Sequence, residues 1–249
     1  MLTNEETRVE TYAEAATPTD PGIVTAETPL AELNLNWTEK QLPQSQRTKH
    51  VHGLHPYLGK YIPQLVEVFL RKFFRPGQRV LDPFVGSGTT LVQANELRIR
   101  SVGYDISAFN VMLSRVKTDS YDVVEAAREA KDVLQRTNAV VNRANGQPSL
   151  WEQAAESIEI QPVDSQYLQE WYAPQALREL LTYRSLLESG NYQNKNLLRI
   201  ILARSARSAR LTTHFDLDFP NRPQREPYSC YKHSRICHPT EEAFKFLVR

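Results

Sequence analysis

The stretch VLDPFVGSGTT, residues 80–90, combines a short apolar run with an acid and two closely spaced glycines. Residues Arg79 to Asp82 predict a short strand, which the glycines connect to a helix from about Thr89 to Leu97. Glycines at such a turn let the backbone approach a ligand, because no Cβ atom intervenes and unusual φ angles are allowed. Asp82 would end the strand at the edge where open α/β sheets bind their ligands. The pattern therefore predicts a ligand site at this turn.

A second acid follows the next predicted strand. The strand SVGYD ends at Asp105, and a helix begins near Ser107, a suitable N-cap residue. Strand, helix and strand in this order form a βαβ unit, in which the two strands are parallel. A carboxylate at the end of the second strand is placed to accept hydrogen bonds from both ribose hydroxyls of a nucleoside.

Two nucleotide-binding patterns fail to fit the glycine loop. A phosphate-binding loop needs Lys directly after its last glycine, whereas Thr89 follows Gly88. The dinucleotide pattern needs a small residue where Leu91 stands, and its bulk would hinder close packing of the helix. S-adenosylmethionine (AdoMet) fits better, because it carries a ribose, an adenine, a sulfonium and an amino-acid tail but no phosphate. Glycines that serve only the geometry of the turn are the alternative.

The flanking sequence predicts the helices that position this loop. Apolar residues at helical spacing in YIPQLVEVFLRKFF predict a helix that Pro63 can begin and that Arg75-Pro76-Gly77 ends. Further helices are predicted over about 121–142, 165–188 and 192–210, and the segment 211–240 is expected to form loops.

Composition and charge exclude several classes of protein. The chain has 249 residues, of which 41% are hydrophobic, and its longest apolar runs fall short of the roughly 20 residues of a membrane helix. We therefore expect no membrane association, and the two cysteines together with the lack of a secretory signal favour a cytoplasmic protein. The formal net charge of +1 conceals an acidic N-terminal part and a basic part from residue 195 onward. The basic part could face a polyanion or could be a solvated surface.

DPFVGSGTT resembles the AdoMet-binding motif of site-specific DNA methyltransferases that act on the exocyclic amino group of cytosine (N4) or adenine (N6). The upstream segment TKHVHGLHPYLGKYIPQLVEVFL resembles the motif that precedes it in this family, with a displaced proline. The resemblance covers about residues 37–117. It implies an α/β fold, a partial Rossmann-like AdoMet-dependent methyltransferase sheet with a helical C-terminal extension.

Composition and the resemblance together predict a domain organisation, and the resemblance implies a set of cofactor-binding residues. Residues 1–36, rich in Thr, Glu, Ala and Pro, would be a disordered tail. Residues 37–145 would be an incomplete AdoMet-binding core, and 146–249 a helical, loop-rich segment for DNA recognition or partner binding. The loop would line the methionine end of AdoMet, Asp105 would hold the ribose, Ile106 would lie against the adenine, and His55 to Lys60 would close the pocket. The expected cofactor-binding residues are His55, Lys60, Asp82, Pro83, Phe84, Gly86, Ser87, Gly88, Thr89, Asp105 and Ile106.

No stretch of the chain carries the second motif of this family, Asp, Asn or Ser followed by Pro-Pro and an aromatic residue. That motif accepts hydrogen bonds from the target amino group and stacks on a flipped base. The 249 residues contain no Pro-Pro pair, so we expect no catalytic residue in this chain. The expectation is a truncated or split enzyme, inactive until a second polypeptide supplies the motif.

Basic side chains at helical spacing form a second candidate site. In LLRIILARSARSARLTTHFD, Arg204, Arg207 and Arg210 recur every three residues and are predicted to contact the phosphates of double-stranded DNA. An amphipathic helix with a solvated face is the alternative.

Two cysteines and two histidines lie close together nearer the C-terminus. Cys230, His233, Cys237 and His238 could ligate zinc, but the spacing matches no closed zinc site, and adjacent ligands at 237 and 238 are awkward. No metal site is therefore predicted. A loop that contacts DNA or the missing half of the enzyme is favoured instead.

The sequence thus predicts the AdoMet-binding part of an amino-type DNA methyltransferase from a restriction–modification or genome-marking system. Methylation of RNA or protein is a rival within enzymes. A catalytically silent binding module that keeps a relic cofactor pocket is a rival from another class.

Overall fold

Two short parallel strands organise the first half of the chain in the computed structural model, which describes residues 17–144, 164–217 and 219–248. Strand β1 is Arg79–Asp82 and strand β2 is Arg100–Gly103, and Asp82 pairs with Gly103 in the parallel register. Both strands and the crossover helix between them confirm the predicted βαβ unit. The helices of this half are α1 Gln44–Arg47, α2 Pro63–Phe73, α3 Thr89–Glu96 and α4 Ala108–Thr118.

Helices α2 and α3 cover one face of this sheet. Pro63 begins α2 as predicted, and Phe74 ends it in extended backbone just before Arg75-Pro76-Gly77. Leu70 of α2 packs against Val80 of β1 and against Ala94 and Ile99, so burial of apolar side chains fixes both helices on the strands.

The opposite face of the sheet is exposed among the described residues. Leu81 and Val102 are partners in the strand register, and Leu81 is 60% exposed. Tyr104, two residues beyond Val102, is 63% exposed. Parallel sheets are normally covered on both faces, so this face is unusual for its class.

Residues 17–36 correct the expectation of a disordered tail. The segment contains the 3₁₀ turns Pro21–Ile23 and Leu30–Glu32, and its backbone pairs internally from Thr19 N to Asn34 O at 2.9 Å. Val24 is buried, and Lys72 of α2 donates a hydrogen bond to Ala26 O at 2.6 Å. This packing could not be predicted from the sequence, because the stretch contains few large apolar residues. The first sixteen residues lie outside the described residues.

The second half of the chain is mainly helical. It contains α5 Val123–Ala144, α6 Gln166–Trp171, α7 Pro174–Ser189, α8 Lys195–Ala209, α9 Phe244–Leu247 and the antiparallel strands β3 Tyr228–Cys230 and β4 Arg235–Cys237. Its main core joins α5, α7 and α8 through Val133, Tyr183, Leu186, Leu187 and Leu198. The buried carboxylate of Glu129 accepts hydrogen bonds from the backbone of Gln193 and Asn194, which fixes the start of α8 against α5.

Two predictions for this half are wrong in detail. The single helix predicted over 165–188 is two helices, because Pro174 begins α7 and holds Ala173 before it in extended backbone. The segment 211–240, predicted to be loop-like, contains the β3–β4 hairpin.

By its internal contacts the chain divides into two compact units, Met1–Thr118 and Asp119–Arg249. The domain boundaries predicted after residues 36 and 145 stay predictions, and residues 145–163 lie outside the described part. Among the described residues, none of the helices is long and apolar enough to cross a bilayer.

Candidate functional site

The glycine loop between β1 and α3 depends on backbone conformations that favour glycine. Gly86 has a φ of 48° and Gly88 a φ of 81°, both in the left-handed region. A Cβ atom at Gly88 would lie 2.9 Å from Ser114 Oγ and 3.1 Å from Ser114 Cα, too close for a side chain. The loop is therefore packed directly against α4, as a tight strand-to-helix turn requires.

Asp105 fixes the middle of this loop. Its Oδ2 accepts the Gly86 N–H at 2.9 Å, and its Oδ1 accepts the Ser107 N–H at 2.8 Å and the Asn110 side-chain amide at 3.1 Å. The hydrogen bond from the Ser107 backbone is the largest cause of the lowered pKa of Asp105; partial desolvation opposes it, and the hydrogen bonds from Asn110 and Gly86 lower the pKa further. A carboxylate has about four acceptor positions, and three are used, so one remains for a ligand.

Asp82 fixes the beginning of the same loop. Its Oδ1 accepts the Phe84 N–H at 3.0 Å. Backbone hydrogen bonds from Tyr104 N to Asp82 O and from Val85 N to Tyr104 O, each of 2.9 Å, continue the strand pairing into the loop. The structure thus brings the two predicted carboxylates to the same edge of the sheet, where they brace one loop at two points.

Two large apolar side chains stand exposed beside these carboxylates. Phe84 follows β1 and is 87% exposed, and Ile106 follows β2 and is 107% exposed relative to an extended reference. Neither side chain contributes to a core, since each protrudes into solvent. Exposed apolar side chains next to carboxylates offer an apolar surface on which a flat aromatic ring can pack and oxygen atoms that can accept hydrogen bonds from hydroxyl groups.

The upstream segment reaches this loop through Tyr57. A Cβ atom at Gly86 would lie 3.2 Å from the Tyr57 hydroxyl, and that hydroxyl accepts a hydrogen bond from Asn110 at 3.2 Å. Of the two residues predicted here, His55 donates to Pro56 O at 2.7 Å and packs its ring edge-on to Phe109.

Lys60, the other predicted residue, is turned toward its own segment. Its ammonium donates to His52 O at 2.7 Å, and burial lowers its pKa. His52 is itself fully buried, bonded to Gln93 of α3 at 2.9 Å, and burial lowers its pKa to about 4. The buried His52 therefore anchors the upstream segment on α3, and Tyr57 of the same segment lies against the loop at Gly86.

Helix α4 holds the second half of the loop. The buried ammonium of Lys117 donates to Ser87 O at 2.7 Å, and Ser114 Oγ donates to Gly86 O at 3.2 Å. Burial, with a smaller contribution from Lys60, lowers the pKa of Lys117 to about 8. Within the described part of the chain, Ser87 Oγ and Thr89 Oγ1 are buried and have no hydrogen-bond partner.

Sequence reasoning missed three residues that shape this site: Asn110, Ser114 and Lys117. They lie on one face of α4, and that face can be read from their spacing, but nothing in the sequence shows that it packs on the loop. Tyr57 lies within the segment His55 to Lys60 that was predicted to close the pocket, although it was not named individually.

The three predicted DNA-binding arginines differ in their surroundings. Arg204 is exposed and lines a cavity of about 960 Å³ together with the basic side chains of Lys232, Arg235 and Lys245. Arg207 is half-buried. Arg210 donates hydrogen bonds to Leu217 O and, at 3.5 Å, to the Tyr167 hydroxyl, which ties α8 to neighbouring elements.

A family model described as DNA methylase matches residues 11–115. Over 83% of this chain, the sequence is 34% identical to the Type II methyltransferase M.MjaII of Methanocaldococcus jannaschii. The chain belongs to this DNA methylase family. Shorter parts of the chain are similar to two further Type II methyltransferases. M.MvaI of Kocuria varians is 33% identical over 33% of this chain, and M.BsoBI of Geobacillus stearothermophilus is 30% identical over 37% of this chain.

The match to these family members is partial in length. The chain spans 49% of M.MjaII and 19% of each of the other two relatives. The family match at 11–115 includes the glycine loop, both carboxylates and the upstream segment. No solved structure matches the chain at a significant level.

Proposed function

We propose that the first unit binds AdoMet and that the chain is the cofactor-binding part of a DNA methyltransferase acting on an exocyclic amino group of cytosine or adenine. The observation that carries the proposal is the arrangement of Asp82, Asp105, Phe84 and Ile106 around one glycine loop. Membership of the DNA methylase family supports it. The parallel β1–β2 pair with its crossover helix would then be the first part of a Rossmann-like sheet.

The chemical character of the site fits AdoMet better than a phosphorylated nucleotide. Two carboxylates face the loop, and a phosphate group there would be repelled by their negative charge. The remaining acceptor position on Asp105 can take a ribose hydroxyl, and exposed Ile106 can cover one face of the adenine. Asp82 and Phe84 would contact the methionine end. When bound, AdoMet supplies an electrophilic methyl group.

The remaining predicted residues have supporting roles in this proposal. The unpartnered hydroxyls of Ser87 and Thr89 can rotate toward a bound ligand, and Gly86 and Gly88 let the backbone come close to it. Pro83 holds the first turn of the loop. His55 would close the pocket, while Lys60 acts by positioning the segment around His52.

The methyl acceptor in this proposal is double-stranded DNA, which the family description DNA methylase supports, and the proposed location is the cytoplasm. The basic cavity wall of the second unit, with Arg204 exposed on it, is the proposed phosphate contact. Arg207 and Arg210 stay proposed DNA contacts outside this wall, and Arg210 would have to exchange its hydrogen bond to Leu217 O for a phosphate. Because phosphate contacts are independent of sequence, they would position the DNA and leave the choice of base to other groups.

The Pro-Pro-aromatic motif that accepts the target amino group is absent from these 249 residues. We infer that a further polypeptide segment, on a second polypeptide as expected from the sequence, brings this motif to the site. The exposed sheet face formed by Leu81, Val102 and Tyr104 supports that inference, because the crossover helices of a completed parallel sheet would cover it.

Calorimetric titration with AdoMet tests the proposed cofactor site. Phe84→Ala and Ile106→Ala should each weaken AdoMet binding by about 10-fold, since each removes apolar surface that the ligand would cover. Their melting temperatures should equal that of the unmodified chain, because both side chains are exposed. Val124→Ala, at an 81% exposed position in the second unit, is the matched control.

Binding by the unmodified chain that both variants retain unchanged would contradict the assignment of these two residues. A chain that binds duplex DNA and no AdoMet would favour the binding module with a relic pocket. Methylation of RNA or protein would be recognised by supplying those substrates with labelled AdoMet and the completing polypeptide.

A further inference from the structure

Four potential metal ligands converge in the second unit: His214, Cys230, His233 and Cys237. One ligand atom from each residue lies within 4.8 Å of the other three, and the two histidines approach the cysteine Sγ atoms through Nδ1. The sequence suggested His238 as the fourth member of such a group. The structure brings in His214 instead, from a loop that precedes the hairpin by more than ten residues.

The β3–β4 hairpin positions three of the four ligands. Cys230 ends β3 and Cys237 ends β4, and the antiparallel register pairs Cys230 with Arg235 and Tyr228 with Cys237. Residues directly opposite share a face, as do residues two apart, so both cysteines lie on one face of the hairpin in diagonal positions. Between the strands, His233 N donates to Cys230 O at 3.2 Å, which folds the turn so that His233 comes back over that face.

A separate set of contacts positions His214. Its backbone N–H donates to the Tyr228 hydroxyl at 2.9 Å, and its ring lies edge-on to the His233 ring with centroids 4.7 Å apart. These contacts bring the loop after α8 to the hairpin. The local structure thus joins a ligand from one loop to three ligands from a hairpin, an arrangement common in small zinc-binding segments.

The distances match those of a tetrahedral site. With Zn–S bonds of about 2.3 Å and Zn–N bonds of about 2.0 Å, tetrahedral geometry puts sulfur and nitrogen ligands about 3.5 Å apart. The measured separations are 3.4 Å from Cys237 Sγ to His233 Nδ1, 3.6 Å from Cys230 Sγ to His233 Nδ1, and 3.8 Å from Cys230 Sγ to His214 Nδ1.

Burial and redox state also suit a metal site. Cys230 is 1% exposed and Cys237 is 5% exposed, and neither forms a disulfide. Thiols are weak donors and weak acceptors, so the mutual contacts of two thiols and two imidazoles stabilise this segment poorly by themselves. Two thiolates and two imidazoles form one of the ligand sets that zinc prefers.

We propose that His214, Cys230, His233 and Cys237 bind a structural Zn²⁺ ion. Four protein ligands close the coordination sphere and leave no position for a substrate, so the role is to cross-link the loop at residue 214 to the hairpin. Lys232 and Arg235 lie within the cross-linked hairpin and form part of the wall of the basic cavity. The metal therefore orders that wall. The proposal stands independently of AdoMet binding.

Metal analysis of the chain, purified without a histidine tag, tests the proposal. The unmodified chain should contain about one zinc per polypeptide, and Cys230→Ser, Cys237→Ser and His214→Ala should each retain less than about a tenth of it. His238→Ala is the matched control, because His238 adjoins Cys237 and lines the same cavity but lies outside the ligand group, and it should keep its zinc. Substitution by Co²⁺ should give the visible absorption of a tetrahedral site together with thiolate-to-metal charge transfer.

A second measurement tests the proposal on the unmodified chain, so that its result does not depend on whether the variants fold. Removing zinc from the folded, unmodified chain with a chelator should lower the melting temperature of the second unit by about 10 °C, and added zinc should restore it. A chain that carries no zinc as purified and gives no tetrahedral cobalt spectrum would overturn the proposal. Full zinc in His214→Ala with loss in His238→Ala would overturn the assigned ligand set.

Discussion

The glycine loop and the Cys–His cluster are two sites built in different ways. The loop is shaped by backbone conformation, with Gly86 and Gly88 in the left-handed region and two carboxylates accepting backbone N–H groups. The cluster is shaped by side chains that meet from a hairpin and a distant loop. A site that is formed by backbone conformation can be encoded in one continuous stretch of sequence. A site that is formed by converging side chains depends on a fold that brings distant residues together.

The two sites also present opposite charge to their surroundings. Asp82 and Asp105 make the loop region acidic, which suits a cationic sulfonium cofactor and disfavours phosphates. Lys232 and Arg235 beside the cluster, with Arg204 and Lys245, make the cavity wall basic, which suits a polyanion. The proposed division of labour, cofactor on one unit and DNA phosphates on the other, follows from this difference.

The largest effect is expected from adding one methyl group to the loop. Gly88→Ala should lower the free energy of unfolding of the first unit by about 3 kcal/mol and abolish AdoMet binding, because the new Cβ is strained in the left-handed region and collides with Ser114. Urea denaturation followed by circular dichroism measures the stability.

Gly77→Ala is the matched control for that variant. Gly77 has a φ of 87°, similar to that of Gly88, but nothing lies within 4 Å of its added Cβ. It should therefore lose only about 1 kcal/mol, from backbone strain alone, and retain AdoMet binding. Equal losses in the two variants would show that close packing on α4 is unimportant to the loop.

The sequence predicted the features that neighbouring residues encode and missed those that depend on contacts between distant residues. The strand Arg79–Asp82, the helix that Pro63 begins and the position of Asp105 were all predicted, because each is encoded by neighbouring residues. The contact of Lys117 with Ser87 O was missed, because it depends on how α4 packs on the loop. His214 was missed as a member of the cluster, and His238 was considered in its place, because only the folded hairpin shows which histidine faces the cysteines.

A smaller effect is expected from removing one arginine of the basic cavity wall in the second unit. Arg204→Ala should weaken binding to duplex DNA by about 3- to 10-fold and reduce the slope of log K against log salt by about 1, as loss of one phosphate contact would. Fluorescence anisotropy at several salt concentrations measures both quantities. Arg199→Ala is the control, since Arg199 on the same helix is engaged with Glu188 at 2.6 Å. An equal effect of both substitutions would contradict a specific role for Arg204.

Calorimetric titration of AdoMet into Asp105→Ala tests the central claim most directly. The control is Asp122→Ala, because Asp122 also accepts two backbone N–H groups, from Val124 at 2.9 Å and Glu125 at 3.1 Å, at the start of α5 in the second unit. We expect the unmodified chain and Asp122→Ala to bind AdoMet alike, and Asp105→Ala to bind at least about 100-fold more weakly, a loss of about 2.7 kcal/mol. Binding by Asp105→Ala within a factor of about two of the unmodified chain, well below one tenfold step of 1.4 kcal/mol, would contradict the account.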